Sequence, residues 1–175
     1  GDFAFDGVRG SPHVCDQWEI REGICWQESE PLSVAIPSSV TTIGLFAFRN
    51  SGLTSVVVPD GVAAIPEGAF QNTYSLASAT LGSGVTTVNA QAFQNSGLTS
   101  VTFGDALTTI GEEAFAWSGL TSLNLPGSVT SIGPYAFSGT HIVSVVLPDS
   151  VTEIGQNAFS RIAELTNLTI GAGLT

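Results

Sequence analysis

From residue 47 on, an Ala-Phe pair stands six times along this chain at a near-constant spacing, with its phenylalanines at Phe48, Phe70, Phe93, Phe115, Phe137 and Phe159. The steps between them are 22, 23, 22, 22 and 22 residues, a register that chance does not produce. A repeat of that period restricts the chain to stacked coils, because each unit is too short to bury its own apolar residues alone.

Each unit carries the same apolar frame. One coil runs Leu98-x-x-Val101-x-Phe103, then Leu107-x-x-Ile110-Gly111, then Ala114-Phe115, and its five neighbours follow it. Val101 and Phe103 alternate with Ser100 and Thr102, which predicts a strand with one face inward. The segment from Leu107 to Ile110 predicts the opposite wall of the coil. Proline or glycine follows the first strand (Pro37, Pro59, Gly82, Gly104, Pro126, Pro148), where the chain must turn. A glycine closes the second segment (Gly44, Gly111, Gly133, Gly155), as expected for a bend that other residues resist, although Pro66 and Asn89 depart from that column. The three coils with Ser-Gly before the strand leucine (Ser51-Gly52, Ser96-Gly97, Ser118-Gly119) are 22 residues long. The two 23-residue coils read Thr73-Tyr74-Ser75 and Ile162-Ala163-Glu164 instead, so glycine is expected to tighten that turn; Thr140-His141, in another 22-residue coil, is an exception.

One coil offers about seven inward apolar side chains at roughly 1.5 to 3 kcal/mol each, against about 1 to 2 kcal/mol per residue of backbone ordering. A lone coil therefore cannot fold. Stacking turns the apolar positions into continuous columns. The predicted architecture is a mainly β repeat solenoid, a right-handed coil stack of 22–23-residue units with short turns or 3-10 segments.

Units such as Leu120-Thr121-Ser122-Leu123-Asn124-Leu125-Pro126 leading to Ser131-Ile132-Gly133-Pro134-Tyr135-Ala136-Phe137 resemble the BspA-like, Treponema-type class of leucine-rich repeats. The likeness covers residues 31 to 175. That class usually places cysteine or asparagine a few residues after Ala-Phe. Asn50, Asn72 and Asn95 keep the pattern here, and Trp117, Gly139 and Ile162 are read as departures from it. The resemblance implies a secreted or surface-exposed protein that binds host or matrix components, on a fold that carries no fixed catalytic set.

Three regions are expected: residues 1–5 as the tail of a preceding repeat, 6–30 as an insertion at a turn, and 31–175 as six full coils plus a partial one. Gly1-Asp2-Phe3-Ala4-Phe5 resembles Gly44-Leu45-Phe46-Ala47-Phe48, and the coil opening at Leu165 breaks off at Thr175, so the chain reads as a segment of a longer solenoid. The insertion holds Cys15 and Cys25, too far apart for a C-x-x-C motif, and they are expected to form a disulfide in an oxidising setting. Two free thiols, or a metal site with His13 and Asp16, are the alternatives. Trp18, Ile20, Ile24 and Trp26 would either lid the first coil or anchor a partner.

Charge narrows the partners. Fifteen acidic residues face four arginines and no lysine, for a net charge of −11. Phosphate backbones and anionic lipid heads are repelled, so no nucleic-acid binding is expected, and no stretch is long and apolar enough for membrane insertion. Nucleophile elbows, H-E-x-x-H helices and phosphate loops are absent, so no catalytic residue, cofactor or metal is assigned. His141 reads as a surface turn residue. Asp60, Asp105 and Asp149 form one acidic column, with Glu67 and Glu112 in another. Stacked carboxylates could hold calcium or simply cap turns, and the alternate-coil spacing of roughly 9 to 10 Å favours capping. The sequon Asn167-Leu168-Thr169 lies on a strand and is read as incidental.

The candidate binding surface is the outward strand face: Ser55 and Val57, Ser78 and Thr80, Ser100 and Thr102, Ser122 and Asn124, Ser144 and Val146, continuing into Asn167 and Thr169. It is a flat, uncharged ladder without aromatics. The expected role is a non-catalytic, adhesive binding module contacting a protein or glycan ligand. The alternatives are a structural spacer or self-assembling stalk that joins further repeats or copies of itself at its ends, and, more distantly, an ice-binding face, which the Val and Asn breaks oppose. Plain β-propensity would give the same ladder.

Overall fold

The computed structural model describes residues 20–21, 24–25 and 32–174. Strands β1 (Ile20–Arg21) and β2 (Ile24–Cys25) pair antiparallel, Ile20 opposite Cys25. The remaining strands are parallel and belong to stacked coils, as the repeat predicts.

One wall holds β3 (Leu32–Ala35), β4 (Leu53–Val57), β6 (Ser78–Thr80) and β8 (Ser100–Thr102), in that spatial order. It resumes as β10 (Leu123–Asn124), β12 (Ser144–Val146) and β14 (Asn167–Thr169). The opposite wall is a sheet of β5 (Ala64–Ile65), β7 (Thr87–Val88), β9 (Thr109–Ile110), β11 (Ser131–Ile132) and β13 (Glu153–Ile154). Register steps equal one repeat, as in Val56↔Ala79↔Val101 and Ile65↔Val88↔Ile110↔Ile132↔Ile154, except at Leu32, where a register shift precedes Ser33. The ladder breaks between β8 and β10, beside Phe103, the aromatic member of an otherwise aliphatic column (Val58, Leu81, Leu125, Leu147). Its ring stands edge-on to Phe115, 5.8 Å between centroids at 89°.

The core is a set of columns. The six phenylalanines form one continuous stack, with centroids 5.1, 5.0, 5.2, 5.4 and 5.3 Å apart and ring planes within 12° of parallel. Offset aromatic contacts of this kind contribute about 0.5 to 1.5 kcal/mol each beyond area burial. Phe70, Phe93, Phe115 and Phe137 are fully buried. The Ala-Phe segment is a run of i to i+3 turns that also bonds along the axis: the Phe70 N–H donates to the Ala92 carbonyl at 2.8 Å and the Phe93 N–H to Ala114 at 2.7 Å.

Two expectations about turns are refined. The Pro/Gly column starts a turn with its carbonyl, which accepts the N–H three residues on, as at Pro59 from Val62 and Gly82 from Val85. A missing proline N–H therefore costs nothing there. The glycines closing the second segment are not needed for a left-handed bend, because Gly111, Gly133 and Gly155 have ordinary φ. A Cβ at Gly133 would come within 2.7 Å of the Glu112 nitrogen in the preceding coil, and one at Gly155 within 2.4 Å of the Pro134 nitrogen. Close backbone approach between coils is the constraint. Asn89, which departs from that column, donates both its backbone N–H and its side-chain amide to the Ile65 carbonyl.

Candidate binding surface

The predicted strand-face residues do line one face. Ser55, Ser78 and Ser100 are aligned in register, as are Val57, Thr80 and Thr102. Past the break, Asn124 pairs with Val146, and Ser144 with Asn167. Ser122 lies just before β10, on the same exposed side. Ser55 is half-buried and shares a 2.6 Å hydroxyl contact with Ser33; among the described residues it is the only one of the ten whose side chain makes an internal hydrogen bond. The others present free polar or branched groups, and Val57 and Val146 add apolar area.

The acidic column is tied to turns. The Ser83 N–H donates to Asp60 at 2.6 Å and the Ala172 N–H to Asp149 at 2.8 Å, in each case from the next coil. The Ser83 N–H, followed by the Ser83 side chain, holds the Asp60 carboxyl below its ordinary range. Among the described residues no three His, Cys, Asp or Glu side chains converge as a metal site would require. His141 is exposed and faces Glu164 at 3.2 Å; its hydrogen bond, then Glu164's own backbone N–H, lowers the Glu164 carboxyl. The Cys15–Cys25 pairing lies outside the described residues, as do Trp18 and Trp26.

Sequence reading missed a second surface, the edge that carries the Ala-Phe turns. Two positions per coil there adopt left-handed φ. Two residues before each phenylalanine lie Phe46, Gly68, Gln91, Glu113, Tyr135 and Asn157, and two residues after lie Asn50, Asn72, Asn95, Trp117, Gly139 and Arg161. The latter column corrects the alignment above, since Arg161 and not Ile162 occupies the corner. Asparagine tolerates this conformation best after glycine. The three asparagines also bond along the axis, Asn72 Nδ2 to Asn50 Oδ1 at 3.1 Å and Asn95 Nδ2 to Asn72 Oδ1 at 3.2 Å.

One aromatic in each column, Phe46 and Trp117, lies over a glycine. A Cβ on Gly68 would fall 2.2 Å from the Phe46 ring, and one on Gly139 would fall 2.4 Å from Trp117 Cε3. Each ring also meets a guanidinium, Arg49 at 5.5 Å from the Phe46 centroid and Arg161 at 5.6 Å from that of Trp117. Beside them Gln91 and Gln94 both donate to Glu113 Oε2, at 2.8 and 2.7 Å, and Asn157 Nδ2 donates to the Tyr135 hydroxyl at 3.1 Å. A pattern of Asn, Asn, Asn, Trp, Gly, Arg at fixed spacing was the available signal, but its meaning depends on a backbone angle that sequence does not display.

Comparison with solved structures agrees with this geometry. A leucine-rich repeat protein from Eubacterium ventriosum shares 26% identity over 81% of this chain and 38% of its own, with a TM-score of 0.69. A leucine rich cell surface protein from Faecalibacterium prausnitzii shares 29% identity over 79% of this chain and 47% of its own, with a TM-score of 0.54. The pneumococcal vaccine antigen PcpA superposes with a TM-score of 0.73 over 89% of this chain and 43% of its own; at 21% identity that likeness is one of fold. The chain thus spans less than half the length of each of these three proteins. No curated protein matches it significantly. The BspA type leucine rich repeat region matches in six copies over residues 24–120 and 108–175, and the chain belongs to that leucine-rich-repeat family.

Proposed function

We propose that this module works without catalysis, as an adhesive surface of a secreted or cell-surface protein that contacts a protein or glycan ligand through its outward strand face. The observation that carries the reading is the uncharged strand face, in register from Ser55 to Thr102 and again from Asn124 to Val146, with its hydroxyls and amide free of internal partners save at Ser55. Regular sheets of this kind recognise partners by shape and by many weak polar contacts, with little reorganisation on binding. A relative named as a cell surface protein supports the location. Among the described residues no helix is long and apolar enough to cross a membrane.

A spacer or self-assembling stalk is the rival reading. It draws on the monotony of the strand face, whose exposed positions are small hydroxyl, amide and branched residues without an aromatic. Pull-down against extracellular-matrix proteins and a glycan array, with light scattering on the same sample, separates the two. Binding that is lost in Thr80→Arg/Thr102→Arg, with the fold kept, is the expected result. Absence of any ligand at micromolar concentration, together with end-to-end association, would replace the adhesive reading with the stalk.

A further inference from the structure

The strand face has no aromatic, whereas the turn edge holds Trp117 with about half of its surface exposed. The backbone there has φ 57°, a conformation that is uncommon for a bulky side chain. Asn50, Asn72 and Asn95 fill the same corner at lower strain in three other coils, so nothing in the repeat demands tryptophan. The next coil yields space to it, since Gly139 leaves the seat that any Cβ would occupy. Two coils along, the Arg161 guanidinium restrains the ring. A strained, half-exposed indole held in one place by two neighbours is a preorganised contact.

We propose that Trp117, with the Arg161 guanidinium beside it, is a stacking site for a pyranose ring of a neutral glycan. The chemistry fits that class. A sugar offers an apolar C–H face to a flat aromatic and a rim of hydroxyls to a planar polar group, here the Arg161 guanidinium. Arg161 follows Trp117 in the same column by two coils, a span of roughly 10 Å. Protein anchors, by contrast, bind in closed pockets rimmed against water, and about half of Trp117 is open to solvent. The net charge of −11 disfavours anionic sugars and leaves neutral ones. This inference rests on the reading of the chain as a binding module but assigns a different surface, so the two fail separately.

The test is titration of the full chain with neutral hexasaccharides of glucose, mannose and N-acetylglucosamine, followed by calorimetry and by tryptophan fluorescence. Trp117→Asn restores the residue of three sister coils and serves as the folded control. At least one sugar is expected to bind and to perturb the fluorescence. Trp117→Asn should weaken it by about tenfold or more, and Trp117→Phe should weaken it less. Binding that survives Trp117→Asn but vanishes in the strand-face variant overturns the stacking site and keeps the strand-face reading. No binding of any of the three sugars at millimolar concentration also overturns it, while protein ligands of the strand face remain to be read from the pull-down.

Discussion

At the corner two residues past each stacked phenylalanine, the first three coils carry Asn50, Asn72 and Asn95, and the last three carry Trp117, Gly139 and Arg161. The backbone is the same in both regions, with φ between 53° and 70°. The side chains differ in what they do with it. Asparagine fits the left-handed angle and spends its amide on the neighbouring coil, so the corner is closed on itself. Tryptophan fits the angle badly, needs a glycine beside it and an arginine over it, and turns its chemistry outward. The core beneath does not register the change: ring centroids lie 5.1 and 5.0 Å apart under the asparagines, and 5.4 and 5.3 Å apart under the other three. In a stack held by inward columns, corner residues are free to vary, and where they vary toward strain and exposure a function is the natural cause.

The largest effect tests whether the two regions share one core. Phe93→Ala and Phe115→Ala should each cost about 3 to 5 kcal/mol, since both rings are fully buried within the stack. Denaturant melts monitored by circular dichroism will compare them, and a much milder Phe115→Ala would mean that the stack is discontinuous at the region boundary.

Next comes the aromatic corner. Gly139→Ala forces a methyl into the indole and puts a non-glycine at φ 70°, for an expected loss of about 2 kcal/mol. In Trp117→Asn/Gly139→Asn the clash disappears and an amide ladder can form, so the double variant should recover most of that loss. Additive losses in the two steps would show that ring and glycine are not coupled.

A smaller effect distinguishes strain from support. Left-handed backbone costs a bulky residue about 1 to 2 kcal/mol, and the cation–π contact returns about 0.5 to 1. Trp117→Asn alone should therefore leave stability unchanged or raise it by up to about 1 kcal/mol. A clear loss in thermal melts would make the indole a structural corner and remove the motive for a binding role.

The smallest effect is electrostatic. Asp60 in the first region and Glu164 in the last both have carboxyl pKa values below their ordinary range, through the Ser83 N–H and the His141 side chain respectively. A depressed folded-state pKa contributes stability above the unfolded value and loses it as pH falls through the folded value. The melting temperature should be level near neutrality and should decline below about pH 4, with Asp60→Asn and Glu164→Gln each flattening part of that decline. Both groups are exposed, so the slopes will be shallow. An unchanged acid limb in Asp60→Asn would dismiss the Ser83 contact as energetically idle.

Much of the solenoid was legible beforehand. The alternation of Val101 and Phe103 with Ser100 and Thr102 told inside from outside, and the Ala-Phe register placed the stack. The proline column was recognised as a turn, yet its working atom, the carbonyl, was not. Gly111, Gly133 and Gly155 were assigned to a bend when their constraint is contact with the coil before. The buried hydroxyl column went unnoticed altogether: Thr73 and Thr140 donate to Phe70 and Phe137 carbonyls, while Ser51, Ser96 and Ser118 at the same station have no partner.

Periodicity alone determined the repeat length, the two walls, the inward columns and the outward serine and threonine ladder. These depend on chain-local alternation and on a spacing that can be counted. Only the tertiary structure decided that Trp117, Gly139 and Arg161 form one cluster, that asparagine amides run along the axis, and that a glycine is required by its neighbour's backbone. Those partners lie 22 to 44 residues apart in the chain, and stacking brings them within about one or two strand spacings. Whether two such residues meet depends on backbone angles and coil register that three-dimensional packing sets.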